Sequence, residues 1–156
     1  MRRKIKIKKH TEPDPKYGSV LVSQFINVLM LDGKKDTARR AMYQALEYVK
    51  KDAKVDDPLA LFEEAIQNVS PTLEIVSRRV GGANYQVPKE VRSDRKITLA
   101  IRWILGVARA KKGKSISKIL AQEFIEAAKN EGDAIKKKND THRMAEANRA
   151  FAHFAW

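Results

Sequence analysis

The spacing of apolar residues switches once along this chain and then switches back, and that single interruption limits the folds open to it. Ala38, Ala41, Met42, Ala45, Leu46 and Val49 recur at i, i+3 and i+4, the pattern of a helix that buries one face. Leu73 to Val80 and Tyr85 to Val91 are instead β-branched and aromatic runs, separated by Gly81-Gly82-Ala83-Asn84. They predict a hairpin whose four turn residues supply positive φ. Pro88 lacks a ladder donor and suits an edge strand, as in a two-stranded ribbon. Such a ribbon is marginal alone, so it either packs on helices or projects toward a partner. From Ser93 the helical rhythm returns in Ile97, Ala100, Ile101, Ile104, Leu105 and Ala108, broadened by Leu99, Trp103 and Val107.

Local punctuation divides the rest. A first apolar helix over 20–31 stops at Asp32-Gly33, and a second starts with Asp36 as N-cap. Asp57-Pro58 opens a third, since an aspartate cap followed by proline suits a first helical turn. It buries Leu61, Phe62, Ala65, Ile66 and Val69 and ends at Ser70-Pro71. Ser93 caps the fourth helix. Ser115 or Ser117 caps a fifth, with Ile116, Ile119, Leu120 and Phe124 inward and Gly132 as its left-handed stop. A sixth helix, weakly periodic, runs from about Asp133. The fold class is mainly α: a bundle of about six helices with one β-hairpin inserted between the third and fourth. Residues 1–156 form a single domain, with residues 72–91 as a projecting hairpin and residues 1–16 as a basic extended tail, broken by Pro13 and Pro15 and disordered when free.

Charge points to the partner. The chain carries 32 Lys and Arg against 19 Asp and Glu, a net +13. Residues 1–16 hold seven bases and two acids, and residues 92–114 hold eight bases and one acid. These two stretches contribute +5 and +7 and leave +1 for everything else. Charge used only for solubility is interspersed, as in residues 36–57, where five bases meet five acids. Focused basic stretches are the footprint of phosphate binding. In the hairpin, Arg78 and Arg79 precede the glycines and Asn84 and Tyr85 follow. That is the make-up of a basic finger with room for close backbone approach at Gly81 and Gly82 and a ring to offer a base. Phe151, Phe154 and Trp156 either pack or stack on bases.

Chemistry is sparse. With no cysteine, disulfides, thiolate metal sites and cysteine nucleophiles are excluded. His142 and Glu146 share a helix face but underfill a metal site, and a surface hydrogen bond explains them better. Gly81-Gly82 lacks the Lys-Ser/Thr of a phosphate loop, and no Gly-x-Ser-x-Gly elbow occurs. The expectation is therefore no enzyme, no cofactor and no metal. No apolar stretch reaches the about 20 residues of a membrane span, and the basic N-terminus has no apolar run behind it, which predicts a soluble intracellular protein. The main rival is a DNA-binding helix-turn-helix regulator. It is weakened by Trp103 and the broad apolar surface of the basic helix, which leave no compact polar recognition face.

Three stretches together carry a resemblance: Leu29-Met30-Leu31-Asp32-Gly33-Lys34-Lys35; Arg78-Arg79-Val80-Gly81-Gly82-Ala83-Asn84-Tyr85-Gln86-Val87-Pro88; and Thr141-His142-Arg143-Met144-Ala145-Glu146-Ala147-Asn148-Arg149-Ala150-Phe151-Ala152-His153-Phe154. They resemble, in this order and over essentially the whole chain, the bacterial form of the small ribosomal subunit protein seven family. The resemblance implies a structural constituent of the cytoplasmic ribosome. Such a protein binds the head (3′ major) domain of small-subunit rRNA directly, nucleates assembly of the head, and is a monomer when free, without a membrane. Under it Arg2, Arg3, Lys4, Lys6, Lys8 and Lys9 of the tail, Lys34 and Lys35, and Arg92, Arg95, Lys96, Arg102, Arg109, Lys111, Lys112 and Lys114 become rRNA contacts. They are mostly contacts to phosphate, which position without reading sequence. The resemblance also implies that the hairpin and last helix face exit-site tRNA and mRNA, through Arg78, Arg79, Gly81, Gly82, Asn84, Tyr85, Lys136 and Arg143, and adjoin small-subunit protein eleven.

Overall fold

A computed structural model describes residues 11–154. Its element order is α1 (Val20–Leu29), α2 (Lys35–Asp52), α3 (Pro58–Val69), β1 (Leu73–Val80), β2 (Ala83–Glu90), α4 (Ser93–Ala110), α5 (Ile116–Ala128), α6 (Asp133–Ala147) and a C-terminal 3-10 turn (Arg149–Phe154). The class is as expected: helical, with one antiparallel hairpin between α3 and α4.

Several boundaries differ from the sequence reading, each for a local reason. α1 ends at Leu29 rather than Leu31, because Met30 is already extended and Asp32 and Gly33 both take positive φ, 51° and 72°. Asp36 is not the cap of α2. It lies in the first turn, where a carboxylate favours the positive helix end, and accepts from Arg39 Nη1 at 2.9 Å. Ser93 is the first residue of α4, behind Arg92. Ser115 stands at the N-cap of α5 without a side-chain bond, while the buried Ser117 meets Gln44 Oε1 at 3.2 Å. The left-handed residue after α5 is Asn130, φ 59°, and Gly132, φ 90°, instead opens α6. Asp57 behaves as expected, its carboxylate accepting from the backbone N–H of Leu59 at 2.9 Å and of Ala60 at 3.3 Å.

Three rings hold the centre. Phe25 from α1, Phe62 from α3 and Phe124 from α5 are fully buried. They meet edge-on in all three pairs, with centroids 5.6, 5.4 and 5.1 Å apart. Each such pair contributes about 0.5–1.5 kcal/mol beyond area burial. Met42, Leu46, Ile101, Ile104, Leu105 and Leu120 close around them, and Ala134 and Ile135 join from α6, so α1 to α6 share one core. Among the described residues no helix is long and apolar enough to cross a membrane.

The tail joins this body earlier than expected. Asp14 is only 2% exposed. Its carboxylate accepts from the backbone N–H of Lys16 and Tyr17, at 3.0 and 3.2 Å, and from the Tyr43 hydroxyl at 2.9 Å. Burial, and then the Asp14 carboxylate, hold the Tyr43 phenol above its usual range, so it stays a donor. Lys16 pairs with Glu47 at 3.1 Å. Residues 14–16 are thus part of the folded domain. The tail residues 1–10 lie outside the described residues.

Candidate nucleic-acid interface

α4 is the organising element of the basic surface. Ala100, Ile101, Ile104, Leu105 and Ala108 are buried, which turns the opposite side outward. Arg95, Arg102 and Arg109 are spaced seven apart and are exposed. Seven residues drift only about 20° around a helix, so the three line up as one stripe, spanning about 21 Å. Each end is tethered. Arg95 Nε meets Glu74 Oε2 of β1 at 3.2 Å, and Arg109 Nη2 donates to the Leu29 carbonyl at the end of α1, 3.1 Å away. The middle residue, Arg102, has no side-chain hydrogen bond or ion pair among the described residues, and the same holds for Lys34, Lys35, Arg92, Lys96, Lys112 and Lys114. Cations left without internal counterions are charges that an external polyanion neutralises.

Folding joins basic segments that are far apart in sequence. Lys34 of the α1–α2 turn and Arg109 line the same cleft. Thr11, where the described chain begins, shares a groove with Lys35 and Arg39. Arg2, Arg3, Lys4, Lys6, Lys8 and Lys9 lie outside the described residues.

Lys111 departs from the expected role. Its ammonium bonds the Glu123 carboxylate, which is 1% exposed, and lies 3.7 Å from Asp133. The Glu123 bond raises the Lys111 pKa and keeps the amine charged, while burial pushes the Glu123 carboxyl up. Lys111 is an internal counterion rather than a free phosphate contact. It pins the start of the α4–α5 loop to α5 and α6, and the loop's exposed cations are Lys112 and Lys114.

The hairpin is tighter than the sequence suggested. Val80 pairs with Ala83, so the turn is only Gly81-Gly82, with φ 57° and 90°. Two successive positive φ angles fit the twist of a two-residue hairpin. Asn84 belongs to β2, opposite Arg79, and Tyr85 stands opposite Arg78. Arg79, Gly81, Gly82 and Asn84 are exposed at the tip, and Arg78 is half-buried. The Tyr85 ring, expected to be offered to a base, packs on Phe151 and Phe154, at centroid distances of 5.2 and 5.3 Å. The C-terminal aromatics therefore brace the ribbon, which cannot bury enough surface by itself. Lys136 and Arg143 lie exposed on α6, in surface pairs with Asp133 and Asp140 at 3.2 and 2.8 Å.

His142 does not pair with Glu146. Its Nε2 accepts from the Thr72 N–H at 3.1 Å, linking α6 to the foot of β1. No group of three or more metal-capable side chains occurs among the described residues. Sequence reading missed a further ledge between α2 and α5, lined by Lys51, Lys114 and Lys118, where Lys118 lies 5.6 Å from the Tyr48 ring centre. Of these, Lys114 is expected from its basic stretch. Lys51 and Lys118 are not, because Lys51 lies in the stretch 36–57, where acids balance bases, and Lys118 is a single base among serine and apolar neighbours.

A helical scaffold that aligns exposed arginines along one helix and braces a glycine-tipped basic ribbon is that of a nucleic-acid-binding structural protein. Residues 1–149 match the family model described as Ribosomal protein S7p/S5e. The small ribosomal subunit protein uS7 of Thermotoga neapolitana is 54% identical over 156 residues, covering 100% of both chains. That of Moorella thermoacetica is 56% identical over 144 residues, 92% of this chain and 91% of the relative. That of Protochlamydia amoebophila is 52% identical over 149 residues, 96% and 95% of the two. The chain belongs to the S7p/S5e family of ribosomal proteins, which are structural proteins and not enzymes.

Proposed function

We propose that this protein binds the head domain of small-subunit rRNA directly, nucleates folding of the head, and presents its hairpin and α6 to exit-site tRNA and to the mRNA path beside small-subunit protein eleven. As a member of its family it is an RNA-binding constituent of the small ribosomal subunit and works in translation, in the cytoplasmic ribosome. The observation that carries the finer reading is the α4 stripe, Arg95, Arg102 and Arg109, with Arg102 unneutralised and the ends held by Glu74 and Leu29. Such a stripe tracks a sugar–phosphate backbone without reading bases. A-form grooves are too deep and narrow for side chains to read, so specificity rests on the shape of a folded RNA junction.

The test is a salt titration of binding to a head-domain RNA fragment, with duplex DNA as competitor. Log K falls with log salt by roughly 0.7–0.9 for each phosphate neutralised, and RNA outcompetes DNA. A flat slope, or equal affinity for DNA, overturns the reading. Separately, Arg78→Ala with Arg79→Ala spares RNA docking and disturbs retention of exit-site tRNA. Loss of docking itself reassigns the ribbon to assembly.

A further inference from the structure

The cleft that unites Lys34 with Arg109 has a chemistry that phosphate contacts leave unused. Its volume is about 370 Å³, within the range of about 300–1,000 Å³ typical of small-ligand pockets. Leu29, Ala38, Ala41 and Ile116 make an apolar lining between the end of α1, the start of α2 and the first residue of α5. Two alanines on α2 leave the space that larger side chains would fill. Leu31 also lines it and is 62% exposed, carried out of α1 by the Asp32-Gly33 turn. Lys34 and Arg109 bring two positive charges to the same apolar space.

We propose that this cleft receives one nucleotide extruded from the ribosomal RNA, with its base against the apolar lining and its phosphate shared by Lys34 and Arg109. The inference rests on the rRNA-binding reading above and adds a subsite that selects for an unpaired residue. Three observations favour a nucleotide over other occupants. The first is charge: the cleft holds two cations against the single carboxylate of Asp32, an excess that an apolar peptide leaves unmatched, whereas a nucleotide satisfies base-sized and anionic requirements together. The second is continuity: Arg109 is the last arginine of the α4 stripe, so a strand following that stripe arrives at the cleft. The third is order: Arg109 Nη2 is held by the Leu29 carbonyl at 3.1 Å, and a fixed guanidinium plane is a surface on which a splayed base stacks. Asp32 and Thr37 line the same cleft and give an amino edge of a base an acceptor. The chain's own basic segment is a poor occupant, because residues 2–9 carry six bases and no acid and would meet a cleft whose cations outnumber its one carboxylate.

The experiment uses the full chain and a head-domain RNA fragment, with 2-aminopurine placed in turn at each unpaired purine. Ala41→Leu fills the cleft with a good helix former and removes no charge. The expected result is an unchanged thermal melt and a roughly tenfold loss of RNA affinity, the scale of one stacked base. The salt slope stays unchanged because no phosphate contact is lost. One 2-aminopurine position changes its fluorescence with the parent protein and not with Ala41→Leu. Should Ala41→Leu lower the melt, Leu31→Ala, at an exposed position, gives the same readouts without crowding. Affinity within about twofold of the parent, or no 2-aminopurine position that distinguishes parent from variant, overturns the proposal. Normal RNA affinity with loss of a neighbouring protein from reconstituted subunits overturns it too, and makes the cleft a peptide site. A flat salt dependence in the parent protein instead fells the rRNA-binding reading itself.

Discussion

Among the described residues, two three-ring aromatic clusters are built to different standards. Phe25, Phe62 and Phe124 are fully buried and interlock α1, α3 and α5. Tyr85, Phe151 and Phe154 are half-buried and join the hairpin to a 3-10 turn. The first cluster sits in the core that α1 to α6 share. The second braces a ribbon whose remaining ties are few, among them the Thr72–His142 and Arg95–Glu74 contacts and the buried Val87. Segments with few buried apolar contacts open at lower free energy than the global transition. The contrast separates a densely packed platform, which fixes the α4 stripe, from a ribbon assembly that opens at lower cost.

The strongest way to break this comparison is Phe62→Ala. Loss of a buried ring costs about 3–5 kcal/mol, and because three helices meet there the whole chemical-denaturation curve shifts. Tyr85→Ala removes a half-buried ring and is expected to cost about 1–2 kcal/mol. That loss appears as faster amide exchange in β1, β2 and the C-terminal turn, with little change in α1 to α5. Equal exchange effects throughout would make the molecule one cooperative unit and dissolve the distinction.

A smaller effect follows from pH. Burial, and then the charge of Lys138, hold the His142 imidazole below its ordinary 6.5. A histidine whose folded pKa is depressed contributes stability that is present above its unfolded value and is lost as pH falls through the folded value. Protonation also converts the Nε2 acceptor of the Thr72 N–H into a donor. Lowering the pH from about 7 to 5 therefore loosens the foot of β1 against α6, by about 1 kcal/mol for one hydrogen bond. Amide-exchange protection, corrected for the intrinsic pH dependence of exchange and measured on the parent and on His142→Asn, checks this, since the variant should lack the pH-dependent component. Smallest in stability is Arg102→Ala, expected within about 0.5 kcal/mol of the parent. Yet it lowers the salt slope of RNA binding by roughly 0.7–0.9, one phosphate's share. A fall in stability without a change in slope would make Arg102 structural.

Much of the fold was legible because its signals are local. The i, i+3, i+4 rhythm of α2, the Asp57-Pro58 start of α3 and the paired glycines of the hairpin each encode backbone geometry within a few residues. The clustering of bases in residues 92–114 likewise marked the basic, exposed face of α4, since a helix with one apolar stripe has only one side left for charge. Boundaries slipped where one residue type serves two positions. Asp36 is as acceptable inside a first turn as at a cap, and both Asn130 and Gly132 tolerate positive φ.

Residue types and their spacing determined that this chain forms amphipathic helices interrupted by one ribbon, and that its excess charge is concentrated for a polyanion. Tertiary packing alone decided which charges remain available. It buried Asp14 under Tyr43, committed Lys111 to Glu123, closed Tyr85 against Phe151 and Phe154, and brought Lys34 to the same cleft as Arg109. These pairings join residues many turns apart. A side chain's sequence neighbours fix its backbone conformation, but its partner depends on how whole helices stack, and no local pattern carries that information.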